Sequence, residues 1–244
     1  MNKTEVCTLI RQVGIIPAIR VSSGDEAHFA VEAVSNGGIP IVEITMTVPG
    51  ALDVISHLVK YHPKILVGAG TVLKIETAQQ CIDAGAGFLT APGFNRSIVD
   101  FAVKQNLSVL AGALTPTEVI EAWEAGSDFV KVFPCSPVGG EDYIKALNTA
   151  LPQIPLIAAG GVKQQNAREF ILAGATALGV GKDLIPHEAI ERRQANRIRE
   201  LAHRFTAHVK DARELLAARK QSVVTQKVLV ECEQEAVVGH GKRR

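Results

Sequence analysis

LSVLAGALTPTEVIEAWEAGSDFVKVF, residues 107–133, contains one complete structural unit. Leu107–Leu110 reads as a short apolar strand. Pro116–Ala125 carries apolar residues at spacings of 3 and 4, the period of a helix with one buried face. Ala125-Gly126-Ser127 then supplies a glycine of the kind that stops a helix in the left-handed conformation. Phe129–Phe133 is a second apolar run. A strand, a helix and a strand in so short a span imply parallel strands joined by a right-handed crossover.

The same unit repeats outward in both directions. Further strands are expected near Ile15–Arg20, Pro40–Met46, Ile65–Val67, Phe88–Thr90, Leu156–Ala158 and Ala177–Val180. Helices are expected at Asp25–Ser35, Ala51–Tyr61, Ile75–Ala84, Ser97–Gln105, Gly140–Ala150 and Lys163–Ala173. Ala84-Gly85-Ala86 and Ala173-Gly174-Ala175 repeat the stop signal before a strand. Eight strands with seven intervening helices predict an α/β fold of the (β/α)8 TIM barrel type. An open doubly wound sheet would want G-x-G-x-x-G after an early strand, and the sequence has none.

From about Glu188 to Lys220 the spacing of Ile198, Leu201, Phe205, Val209, Ala212 and Leu216 predicts one long amphipathic helix that supplies the eighth helix and runs past it. Residues 1–220 are therefore expected to form a single barrel domain with an extended C-terminal helix. Residues 221–244 are expected to be a poorly ordered tail with a strand-like run at Lys227–Val230.

Composition narrows the function classes. In 244 residues there are 26 Lys+Arg and 25 Asp+Glu, a formal charge of +1, which suggests no nucleic-acid or other polyanion partner. Residues 187–244 hold 13 basic and 8 acidic residues, the reading being a solvated helical face rather than an anion-binding surface. No apolar run reaches the ~18 residues of a membrane span, and Met1 to Thr8 lack a secretory signal, so a cytoplasmic location is expected. Cys7, Cys81, Cys135 and Cys232 form no C-x-x-C pair, and the seven histidines show no ligand spacing; neither disulfides nor a metal is expected.

In such barrels the chemistry lies at the carboxyl ends of the strands. In Asp128-Phe129-Val130-Lys131-Val132-Phe133, alternation puts Phe129, Lys131 and Phe133 on one face and the two valines on the other. The valines should meet the helices, which sends Lys131 into the barrel. Burial disfavours an ammonium ion, and a neutral lysine amine can form a Schiff base with a carbonyl. Ile41-Val42-Glu43-Ile44-Thr45 aims a carboxylate and Thr45 into the same interior, where Glu43 could serve as general acid and base. The competing reading is a structural ion pair. Gly160-Gly161 and Gly181 close the seventh and eighth strands, where exposed backbone N–H groups commonly hold phosphate, and Lys182 would add positive charge.

Residues from about Gly14 to Pro186 resemble the class I KDPG/KHG aldolase family, the enzymes acting on 2-keto-3-deoxy-6-phosphogluconate and 4-hydroxy-2-oxoglutarate. The resemblance is carried by Ile16-Pro17-Ala18-Ile19-Arg20, Val42-Glu43-Ile44-Thr45, Val67-Gly68-Ala69-Gly70-Thr71-Val72-Leu73, Ala91-Pro92-Gly93, Thr115-Pro116-Thr117-Glu118, Val130-Lys131-Val132-Phe133-Pro134 and Gly160-Gly161-Val162. It implies a lyase of carbohydrate metabolism, of the Entner-Doudoroff type, that needs no cofactor or metal and assembles as a homotrimer. Lys131 would be the Schiff-base lysine and Glu43 the acid/base. Thr71, Pro92 and Phe133 would surround the pyruvate half, and Gly160, Gly161 and Gly181 the phosphate end. Better-known members have an arginine where this chain has Thr47, a threonine at Ala159 and a serine at Lys182. Arg20, at the end of the first strand, is expected to supply the missing positive charge. Two rivals to this reading are a phosphate-binding isomerase or synthase using Lys131 and Glu43 without covalent bonding, and a silent barrel kept for assembly.

Overall fold

The computed structural model describes residues 1–240. Helix α1 (Lys3–Val13) precedes β1 (Ile15–Ile19), and the chain then alternates: α2 (Gly24–Asn36), β2 (Ile41–Thr45), α3 (Ala51–Tyr61), β3 (Leu66–Gly70), α4 (Ile75–Asp83), β4 (Phe88–Thr90), α5 (Arg96–Lys104) and β5 (Ser108–Ala113). It continues through α6 (Pro116–Glu124), β6 (Phe129–Val132), a 3-10 turn at Ser136–Val138, α7 (Gly140–Ala150), β7 (Leu156–Ala159), α8 (Ala167–Leu172) and β8 (Ala177–Val180). The strands pair in chain order, all parallel, and β8 closes on β1. The fold is the expected (β/α)8 barrel.

The expected helix stops are present: Gly85, Gly126 and Gly174 have φ of 93°, 98° and 106°, a region costly for a residue with a Cβ. The start of α6 is equally local in origin. Thr115 and Glu118 form a reciprocal capping box ahead of Pro116, and the amides of Thr115 and Leu114 hold the Glu118 carboxyl below its usual range.

Alternation along the strands divides the apolar side chains into two cores. Val42, Ile44, Val67, Ala69, Leu89, Val130, Val132 and Ala158 face the helices. Ile16, Ile41, Leu66, Phe88, Leu110, Phe129, Ile157 and Ala177 fill the inside of the barrel and are joined there by Val6 and Ile10 of α1. The N-terminal helix is therefore a plug that seals the amino end of the barrel. The sequence reading did not include it, because α1 (Lys3–Val13) has only two buried positions, Val6 and Ile10, four apart.

Two C-terminal expectations are corrected. The long helix does not start at Glu188. A short α9 (His187–Glu191) ends in a left-handed Arg193 with φ 49°, and α10 begins at Ala195. Nor is Lys227–Val230 a strand, since α10 runs unbroken to His240, 46 residues or about 69 Å. The closed barrel leaves no edge for another strand, so a short β-branched run there has nothing to pair with. Along its first turns α10 buries Ile198, Ala202, Phe205, Val209 and Ala212. Arg213 then reaches back to donate to the carbonyls of Arg11, Gln12 and Thr176, tying α10 to the end of the plug. Among the described residues no helix is long and apolar enough to cross a membrane.

Candidate active site

Phe129 lies in the inner core, while Val130 and Val132 lie in the outer one, so the pleat of β6 leaves Lys131 no direction but inward. The same reasoning on β2, with Ile41 inside and Val42 and Ile44 outside, turns Glu43 inward. Lys131 and Glu43 are 88 residues apart in sequence, yet Lys131 Nζ is 3.4 Å from both carboxylate oxygens. Their side chains are 12% and 4% exposed, so the pair sits beneath the mouth rather than on the surface. Thr90 Oγ1 is a third neighbour of the amine, also at 3.4 Å. The lysine thus faces a carboxylate, a hydroxyl and the ring of Phe133, whose centroid is 5.9 Å away.

Glycines in the upper layer of the interior make room for the side chains and the turn that face them. A Cβ on Gly70 would lie 2.1 Å from Glu43 Oε1, and one on Gly68 2.2 Å from the Phe88 ring. A Cβ on Gly112 would strike the backbone of Pro92 at 2.3 Å, so that glycine lets the Ala91-Pro92-Gly93 turn lean over β5. Glycine is used here for space, since none of these three has a positive φ.

Arg20, exposed at the rim after β1, donates to Thr71 Oγ1 at 3.3 Å. Thr71 holds φ 60°, an uncommon conformation for a β-branched residue. Thr45 is fully buried, and its hydroxyl is engaged by the Ile19 carbonyl at 3.0 Å and Thr47 Oγ1 at 2.8 Å. It therefore braces β2 against β1 inside the wall. Thr47, where an arginine was the pattern, is spent on the same brace. Across the mouth, Gly160 and Gly161 follow β7 with φ of 80° and 96°, and Gly181-Lys182 follows β8.

The structure therefore gathers Lys131, Glu43, Thr71, Arg20, Pro92, Phe133 and the glycine loops around one mouth. It adds Thr90, which the sequence reading missed. The signal was available, since alternation in Phe88-Leu89-Thr90 puts Thr90 on the inward face with Phe88. A thiol, Cys135, also lies nearby. Burial pushes its thiol up to about 11, and the protonated sulfur donates to the Gly160 carbonyl at 3.4 Å. Among the described residues no group of three or more His, Cys, Asp or Glu is arranged to hold a metal ion.

Residues 6–201 match the family described as KDPG and KHG aldolase. The 2-dehydro-3-deoxy-6-phosphogalactonate aldolase of Escherichia coli K12 is 35% identical over 202 residues, covering 82% of this chain and 95% of its own. A crystal structure of KDPG aldolase from Legionella pneumophila, with pyruvate captured as a covalent carbinolamine, superposes with a TM-score of 0.76 at 28% identity, covering 81% of this chain and 96% of that one. A chain of a cube-shaped protein cage, designed by fusing symmetric oligomeric domains, covers 95% of this chain and 86% of its own at 30% identity, with a TM-score of 0.82.

Proposed function

The chain belongs to the KDPG and KHG aldolase family, and from that premise we propose that it is a Schiff-base aldolase. Its substrate in this reading is 2-dehydro-3-deoxy-6-phosphogluconate, cleaved reversibly to pyruvate and glyceraldehyde 3-phosphate, with 4-hydroxy-2-oxoglutarate as a further substrate. The observation that carries the proposal is the inward Lys131 amine held 3.4 Å from Glu43 and Thr90 at the carboxyl end of the barrel.

The chemistry runs as follows. Glu43 takes a proton from the Lys131 ammonium, and the neutral amine adds to the C2 ketone to give a carbinolamine. Glu43 returns the proton to the departing hydroxyl, water leaves, and an iminium forms. That cation draws the electrons of the C3–C4 bond. As the bond breaks, Glu43 accepts the C4 hydroxyl proton through a water, the aldehyde departs, and the electrons rest in an enamine. Protonation at C3 and hydrolysis of the imine release pyruvate and restore the amine.

Arg20 and Thr71 hold the substrate carboxylate in this scheme, and Pro92 and Phe133 line the pyruvate half. The amides of Gly160, Gly161 and Gly181, with Lys182, receive the phosphate. Thr45 keeps the wall beneath the carboxylate in register. A homotrimer working in the cytoplasm is part of the proposal, and light scattering checks the assembly.

The 35% identity to the phosphogalactonate enzyme favours a second reading, the C4 epimer of the same substrate. A lactate-dehydrogenase-coupled assay across both epimers and 4-hydroxy-2-oxoglutarate decides between them. Borohydride reduction with pyruvate should leave a mass adduct on Lys131. An active enzyme that gives no adduct would refute the covalent route and favour non-covalent acid–base chemistry.

A further inference from the structure

The β7–α8 connection carries a side chain that the chemistry above does not use. Asn166, immediately before α8, turns back along the loop: Oδ1 accepts from the Lys163 N–H at 2.7 Å and Nδ2 donates to the Gly161 carbonyl at 3.1 Å. From the other side, the Cys135 N–H donates to the Ala159 carbonyl at 2.9 Å and the Ser136 N–H to the Gly160 carbonyl at 3.0 Å. The carbonyls of three consecutive residues, Ala159, Gly160 and Gly161, are thereby committed to partners within the protein.

A trans peptide points its C=O and the following N–H in opposite directions. Fixing those three carbonyls therefore fixes the amides of Gly160, Gly161 and Val162 facing away from the partners that hold them. Among the described residues, no loop or side-chain hydrogen bond uses any of these three amides as donor. Two of the three carbonyls are held by the backbone of the neighbouring loop. The third, that of Gly161, is held by Asn166, a side chain that a single substitution removes.

We propose that Asn166 is a positioning residue for the phosphoryl group: by anchoring the Gly161 carbonyl it aims the Val162 amide, together with those of Gly160 and Gly161, at a phosphomonoester dianion. The proposal rests on the phosphorylated-substrate reading above. Asn166 itself touches no reacting atom, so its loss should appear in binding of the phosphorylated end and leave imine formation alone.

Asn166→Ala tests this. One lost hydrogen bond at a loop aimed at an anion should raise KM for the phosphorylated keto acid about 10-fold and leave kcat within about twofold. KM for unphosphorylated 4-hydroxy-2-oxoglutarate should stay within about twofold, and borohydride should still trap pyruvate on Lys131. Affinity for inorganic phosphate, read by calorimetry without turnover, should fall about 10-fold. An equal loss on both substrates, or unchanged phosphate affinity, overturns the proposal. If the wild type cleaves nothing while phosphate binding still depends on Asn166, the aldolase reading fails and the positioning role stands. Should the alanine variant not fold, Asn166→Asp keeps the acceptor for Lys163 and loses the donor to Gly161, and the same selective loss is expected.

Discussion

The two ends of the barrel obey one rule of alternation and come to opposite results. At the amino end the inward positions are Ile16, Ile41, Leu66, Phe88, Leu110, Phe129 and Ile157, capped by Val6 and Ile10 of α1. Polar groups nearby are fully committed: the Ser127 hydroxyl donates to the Phe129 carbonyl at 2.7 Å and accepts from the Ala111 amide at 3.0 Å. At the carboxyl end the inward positions are glycines, Glu43, Lys131 and Thr90, and the room the glycines leave is taken by Glu43, Phe88 and the Pro92 turn. The lesson is a division of labour along a few ångströms of strand. One half of each strand carries large apolar side chains that hold the barrel shut, and the other half carries glycine beside a few polar side chains.

That contrast can be broken by substitution at either end. The largest effect belongs to Lys131→Ala, which should abolish pyruvate release because no amine remains to form the iminium. Lys131→Arg should do no better, since a guanidinium does not add to a ketone. Melting curves on both should show a folded barrel. Near-normal turnover by either variant would remove the covalent role.

Glu43→Gln comes next. It keeps the shape of the side chain and loses the proton carrier, so kcat should drop by roughly 10²–10⁴-fold while some imine still forms with pyruvate. Single-turnover trapping separates the two steps.

At the other end, Phe129→Ala empties the inner core beneath the Arg11 guanidinium, which sits 4.7 Å over its ring. The expected cost is about 3–5 kcal/mol in urea unfolding, with kcat per folded molecule nearly unchanged. A large loss of kcat in the folded fraction would show that the two ends are not separable.

Gly70→Ala is the sharpest test of the boundary. Its Cβ would lie 2.1 Å from Oε1, 2.5 Å from Cδ and 2.6 Å from Cγ of Glu43, so the whole buried side chain must swing away. Stability should fall by about 1–3 kcal/mol, and a displaced carboxylate should cost on the order of 10² in kcat. A strongly destabilised protein with normal kcat would mean that this glycine serves packing alone.

Much of the arrangement could be read from local pattern. The strand–helix alternation, the Gly126-type stops and the inward faces of β2 and β6 all depend on periods of 2 and 3.6 residues, which neighbours in sequence carry by themselves. Thr90 was equally readable from β4, but a hydroxyl in a three-residue strand carries less signal than a lysine amid valines. Asn166 was not readable, because its two bonds depend on the path of the loop and leave no periodicity. The α1 plug was hidden for a related reason, since its two fully buried residues acquire meaning only against the open end of a closed sheet.

The sequence alone determined which side of each strand every residue faces, and hence that Lys131 and Glu43 both point into the barrel. Only the tertiary structure decided that they meet, since closing β8 on β1 fixes the distances across the interior between residues 88 positions apart. Closure also decided the fate of Lys227–Val230, for a barrel without edges offers a β-branched run no strand to join, and the helix continues through it.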